Sequence, residues 1–318
     1  VVDALLEGNG DLTPGSEAGK STIDKQRIEE LALKKSMVGA LVLAAWGITM
    51  ALVTSSGAIM LDGMFNFLSG IMSYFFIVVS RLVAGRESKT YPLGYFAYES
   101  LLVFLKGTSI LILVVMAVYS NVKVLLAGGR DPELGLMVIY VVLAVLGCLT
   151  LYFISRSAYK KTESEILEAE TTAWLINAVV SGAIGIALGI AMLLDGTALS
   201  WVQRYIDQIL VILMSLAFIK EPLVFMKNGL GELLMVAPHQ DAAKPIVEKV
   251  ESLKDKIGAK KLEIIVSKTG RRVWVFVRMV PKADTLAMKE WQRVLDTVRG
   301  AVAEVYDNTN TEILLDPA

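Results

Sequence analysis

Apolar and polar positions along this chain fall in long blocks. Apolar segments occupy about 37–56, 58–84, 94–127, 134–155, 171–194 and 204–226. Each is roughly 20 residues or more, the length a helix needs to cross a hydrocarbon core about 30 Å thick. The first two are separated only by Ser55–Ser56–Gly57 and predict a tight helical hairpin. Beyond residue 240 the period changes. Residues 241–257 set Ile246, Val247, Val250 and Leu253 on one stripe, as an amphipathic helix does. Two β-rich runs follow, LEIIVSKTG and RRVWVFVRMV, joined by a Lys268–Thr269–Gly270 turn. Residues 285–306 predict a second helix with Leu286, Trp291, Val294, Leu295, Val298 and Val302 on its core side. EILLDP, residues 312–317, predicts a closing strand. The expected fold is a membrane all-α domain of six helices plus a small α+β domain of order αββαβ, its helices on one face. The expected boundaries are a flexible tail at 1–30, the membrane domain at 31–230 and the small domain at 231–318.

Composition and charge orient this picture. The chain is 54% hydrophobic and 20% charged, with the charges crowded into 1–35, 156–170 and the region beyond about 227. Lysine and arginine favour one set of short loops. Lys34 and Lys35 precede the first span, Arg81, Arg86 and Lys89 follow the second, and Arg156, Lys160 and Lys161 follow the fourth. Lys220 and Lys227 close the sixth, while the opposite loops hold only Lys123, Arg130 and Arg204. That bias favours both termini in the cytoplasm. The expected location of this multi-pass, lipid-contacting protein is the cell's inner (plasma) membrane. The N-terminal stretch, polar and acidic with Gly8, Gly10, Pro14, Gly15 and Gly19, predicts a tail rather than a signal peptide. A net charge of −1 says nothing about nucleic acid, no basic stripe suggests it, and no nucleic-acid partner is expected. One cysteine, Cys148, cannot form an internal disulfide, and one histidine, His239, removes most imidazole-based catalytic and zinc-site designs. No nucleophile–base pair, nucleotide-binding glycine loop or zinc-peptidase motif is present, so no enzyme and no cofactor are expected.

Ionisable residues inside spans are costly and default to functional candidates. Asp62 stands out in the second span, followed by Asn66, Ser69 and Ser73 on one helical face. In the fifth span Asn177 has Ala173 at i−4, Glu170 at i−7 and Ser181 at i+4. Carboxylate and amide oxygens in two such stripes suit a hard or borderline divalent ion. Each residue also has a plainer role. Ser69 and Ser73 fit interhelical hydrogen bonding, and Asn177 fits that role as well as it fits ligation. Glu163, Glu165 and Glu168 read as surface charge, and Asp207 as an interface marker or a cap of the sixth helix. Cys148 reads as packing. His239, after Pro238, reads as surface, with ligation as the less favoured alternative.

These residues resemble the cation diffusion facilitator family of divalent-metal transporters, over about 30–318. YPLGYFAYES, residues 91–100, is similar to the family's HP(Y/F)GHGRAES segment, with Tyr91 and Tyr95 in place of its histidines. DGMFN, residues 62–66, resembles the DxxxD of the second span, and EILLDP the last strand of the family's ferredoxin-like cytoplasmic domain. The resemblance implies a homodimer exporting a divalent cation from the cytoplasm, usually in exchange for protons. Carried over by position, the four ligands are Asp62, Asn66, Ala173 and Asn177, with Glu170, Ser181 and His239 as possible accessory residues. One ligand is absent and two carboxylates are amides. An oxygen-rich site of low charge leans toward Mn²⁺ or Mg²⁺, then Fe²⁺ or Co²⁺, over Zn²⁺. The lack of histidines in the cytoplasmic domain leaves Trp274, Trp291 and Phe276 as its expected core or dimer surface. The same departures keep two alternatives open: a monovalent or other cation as cargo, or a non-transporting regulatory scaffold.

Overall fold

The computed structural model describes residues 17–83, 89–131, 133–162, 165–194, 196–198, 200–237, 240–283, 287–306 and 308–316. Among these, six segments are long and apolar enough to cross a membrane. They lie in α1 (Glu17–Thr54), α2 (Gly57–Val83), α3 (Ala97–Leu126), α4 (Leu134–Thr162), α5 (Glu165–Leu193) and the pair α6 (Gln203–Phe218) and α7 (Lys220–Leu233). Helix α1 begins at Glu17, so it takes in residues 17–30 of the stretch that reads as a tail. The sixth span divides at Ile219 because Pro222 has no N–H to offer the Phe218 carbonyl and its ring crowds that carbonyl. His239, Glu163, Arg86 and Leu286 lie outside the described residues.

The chain forms two compact units, one from the residues up to Ser73 with Ile112–Phe218, the other from Tyr74–Leu111 with Ile219 onward. The core of the first unit is built by Met50, Leu61, Met137, Tyr140, Leu188 and Val211. Its helices close on one another through glycines. A Cβ on Gly47 would lie 2.8 Å from the Gly63 Cα, and one on Gly63 would lie 2.9 Å from the Ile48 nitrogen. On the α1–α4 side Gly39 lies under Leu151 and Gly147 under Leu43, and on the α4–α5 side Gly185 faces Val141. Lipid tails give apolar helices no hydrophobic reason to associate, so close contact through small residues carries the packing.

In the second unit the small domain follows the predicted order: α8 (Gln240–Glu251), β1 (Ala259–Thr269), β2 (Arg272–Pro281), α9 (Met288–Ala303) and β3 (Thr309–Leu315). Strand β2 is central, antiparallel to β1 and parallel to β3. Its odd positions Val273, Val275, Val277 and Met279 bury one face against Ile246 and Val250 of α8 and Val294, Val298 and Val302 of α9. Trp291 leans on that core from α9, whereas Trp274 is buried on the opposite sheet face under the Arg272 guanidinium. On the surface, Lys282 beside Asp255 and Lys249 beside Glu304 hold those carboxyls below the usual range.

The β1–β2 connection is a two-residue loop, Gly270–Arg271, with Gly270 at φ +57°. Positive φ at the first loop position alone is the pattern of a type II′ hairpin turn, which favours glycine there. This tip docks on the start of α3 and the end of α7. Glu99 accepts from the Arg271 amide at 2.9 Å and its Nε at 2.8 Å. Glu232 accepts from the Ser100 hydroxyl at 2.7 Å and the Gly270 amide at 3.0 Å. A Cβ at position 270 would sit 2.6 Å from Glu99 Oε2 and 2.7 Å from the Phe96 carbonyl, so only glycine fits. Gly270→Val should therefore undock the hairpin and free the backbone around the already exposed Arg271 for a protease. Limited trypsinolysis of the intact protein is expected to show cleavage there several-fold faster than in wild type.

Candidate functional site

Asp62 is placed early in α2, about 8 Å along the axis from its Gly57 start. It is half-buried, and its Oδ2 accepts a hydrogen bond from the Tyr140 hydroxyl of α4. Tyr140 is 3% exposed and reaches the carboxylate beside the Gly47–Gly63 crossing, where a Cβ on Gly47 would lie 3.1 Å from the phenol oxygen. Tyr140 is the partner that the sequence pattern did not single out. The signal available for it was a tyrosine inside an apolar run, whose hydroxyl needs a partner when buried.

Asn66, one turn further along α2, is buried, and its Nδ2 donates to the Asp62 carbonyl at 3.0 Å. With the amide nitrogen turned to its own helix, the amide oxygen is the pole left for other contacts. Of the rest of that predicted stripe, Ser69 is exposed and Ser73 half-buried, so interhelical bonding by Ser69 is not seen. Asn177 is half-buried on α5, between Trp174 and Ala178, which pack with Ala40, Cys148 and Leu151. Cys148 is thus packing, as expected. Ala173 is exposed and Ser181 is buried.

Depth can be counted from the helix contacts. On α1, Gly47 faces Gly63 and Leu41 faces Gly70, which sets Asn66 level with Ala44, and the adjacent Leu43 touches Gly147 of α4. On α5, Ala178 clusters with Cys148 and Gly185 faces Val141. Asn66 and Asn177 therefore share one depth, near Gly147–Cys148. Asp62, bonded to Tyr140 and four residues before Asn66 on α2, stands nearer the Ser55–Gly57 corner by about one turn, or roughly 6 Å. Among the described residues no three His, Cys, Asp or Glu side chains gather in one place.

Two further acids of the first unit, Glu170 and Asp207, are structural. Glu170 accepts from the Ser36 hydroxyl and from Trp174 Nε1 at 3.2 Å, and Trp174 also donates to Ser36 at 2.7 Å, so it clasps α5 to α1. Asp207 is buried and does not cap its own α6. Its carboxylate receives the Ser56 hydroxyl at 2.5 Å and the amides of Gly57 at 2.7 Å and Ala58 at 3.1 Å. It caps α2 from 150 residues away in sequence, satisfying amides that a helix start leaves without partners. Glu168 is exposed, as its surface assignment expected.

The Glu99–Ser100 pair that ends YPLGYFAYES is the pair that holds the Gly270 hairpin, which gives that segment a structural role. The tyrosines in its histidine positions stack on each other and on Tyr98, with Tyr91 and Tyr95 ring centres 4.7 Å apart. A comparison with protein families matches residues 33–234, more than half of the chain, to the cation efflux transmembrane domain. No individual curated protein matches. With six spans, an αββαβ domain and this match in place, the chain belongs to the cation diffusion facilitator (cation efflux) family and is a multi-pass membrane cation transporter.

Proposed function

We propose that the protein exports a divalent metal cation from the cytoplasm across the plasma membrane, by proton-coupled alternating access, with Asp62, Asn66 and Asn177 as ligands. Both termini are cytoplasmic, and the working form is a homodimer. The observation that carries this is the contrast between Asp207 and Asp62 among the described residues. Asp207 is saturated by three donors that fasten helices together, whereas Asp62 meets a single phenol at Oδ2 and keeps a second oxygen for a cation. Asn66 commits its amide nitrogen to the Asp62 carbonyl, which leaves the amide oxygen as its ligating atom at the depth it shares with Asn177. A cation bound at Asp62 and Asn66 gains Asn177, which lies at the depth of Asn66, as a further ligand when the helices rock against one another in alternating access. Oxygen ligands completed by water favour Mn²⁺ or Mg²⁺, then Fe²⁺ or Co²⁺, over Zn²⁺. One carboxylate per protomer offers one site for an exchanged proton.

Flux in proteoliposomes tests this. Asp62→Asn should lower divalent-cation uptake at least tenfold, about 1.4 kcal/mol or more in transition-state stabilisation. Equal rates for wild type and variant would remove Asp62 from the pathway. The exposed Ala173 where the family places a ligand supports a second reading, a monovalent cargo or a non-transporting scaffold. In that case Ala173→His with Asn66→Asp and Asn177→Asp should create divalent flux where the parent has none.

A further inference from the structure

We propose that Tyr140 sets the affinity of the cation site by competing with the cation for the Asp62 carboxylate. This rests on the reading of Asp62 as a ligand. The phenol O–H donates to Oδ2, so a cation finds only Oδ1 until the phenol leaves. A carboxylate that already gives one oxygen to a donor binds a hard cation with less charge, and through one oxygen where two are otherwise available.

The surroundings hold the phenol at that position. Tyr140 is 3% exposed and its ring is packed among Leu61, Met137 and Leu188, so it has no route to bulk solvent. The hydroxyl lies against Gly47, 3.1 Å from where a Cβ there would sit, so the glycine is what lets the phenol reach the carboxylate. With the ring held in place, the O–H turns away from Oδ2 to admit a cation and turns back when the cation goes. Transport needs a site that binds well enough to load and weakly enough to release, and a built-in competitor supplies the second condition. Tyr140 is a positioning residue here: it acts on the cation through Asp62.

Titration of Mn²⁺, Co²⁺ and Zn²⁺ into the purified full-length protein by calorimetry, for wild type, Tyr140→Phe, Asp62→Asn and the double variant, decides the matter. Tyr140→Phe should tighten the ion that binds best to wild type about tenfold and slow its release, so that flux at saturating cation falls. In the Asp62→Asn background the Tyr140 substitution should change nothing, a dependence that a merely structural tyrosine does not produce. If Asp62→Asn loses binding while Tyr140→Phe leaves it unchanged or weakened, competition is overturned and Asp62 stands as a ligand. If Asp62→Asn binds like wild type, or if neither wild type nor Tyr140→Phe shows saturable binding, the ligand reading falls and this inference with it. Tyr140→Met, which lacks the donor, replaces the Phe variant should that fold poorly.

Discussion

Gly63→Val should yield no monodisperse protein. A Cβ at position 63 meets backbone, the Ile48 nitrogen at 2.9 Å and the Gly47 carbonyl carbon at 3.0 Å. Backbone inside a packed helix cannot yield as a side-chain tip does, so α1 and α2 must part along the crossing. Overpacking of this kind costs about 1–3 kcal/mol where neighbours can adjust and more where they cannot. The same parting withdraws the Asp62–Tyr140 contact, so a residual folded fraction is expected to carry no flux. Gly70, on the same face of α2, gives the control. A Cβ there meets Leu41 side-chain atoms at 2.7 and 2.8 Å and backbone only at 3.6 Å. Gly70→Ala should therefore express, elute and melt within a few degrees of wild type. Size-exclusion profiles and thermal melts of the two variants in detergent check the pair, and a well-behaved Gly63→Val would refute the close crossing.

Asp207→Ala should be the next most damaging change, at about 3 kcal/mol. It strips partners from the Gly57 and Ala58 amides and from Ser56, all near the corner between two spans. Each buried polar group left unpaired costs about 1–3 kcal/mol, and losing a helix cap costs about 0.5–2 kcal/mol on its own. Asp207→Asn keeps the shape and one acceptor oxygen, so it should recover more than half of the loss. Denaturant titration in mixed micelles measures both. A wild-type midpoint for Asp207→Ala would mean that water serves these amides and that the acid holds nothing. Asp207→Asn should also leave cation affinity unchanged, which separates this structural acid from Asp62.

These results divide between what is local and what is not. Span length, the Ser55–Gly57 corner, the αββαβ order and the buried stripe of β2 follow from periodicity and turn chemistry, which act over a few residues. Asp62, Asn66 and Asn177 stood out for the same reason: a polar residue in an apolar run is conspicuous without knowledge of its neighbours. The break at Ile219 was local too, written in Pro222, but an apolar run conceals it.

The partners were decided only by the tertiary structure. Asp207 and Asp62 look alike in sequence, each an acid inside or beside a span. Which one fastens helices and which keeps an oxygen free depends on contacts 150 and 78 residues away, with Gly57 and Tyr140 respectively. Likewise, nothing in YPLGYFAYES indicates that Glu99 and Ser100 grip a hairpin about 170 residues downstream. The sequence by itself determined the six spans, the small domain and the short list of polar residues, because burial of apolar surface follows pattern. Only the tertiary structure assigned those polar residues their work, because a hydrogen bond needs its partner within about 3 Å, and pattern does not encode that proximity.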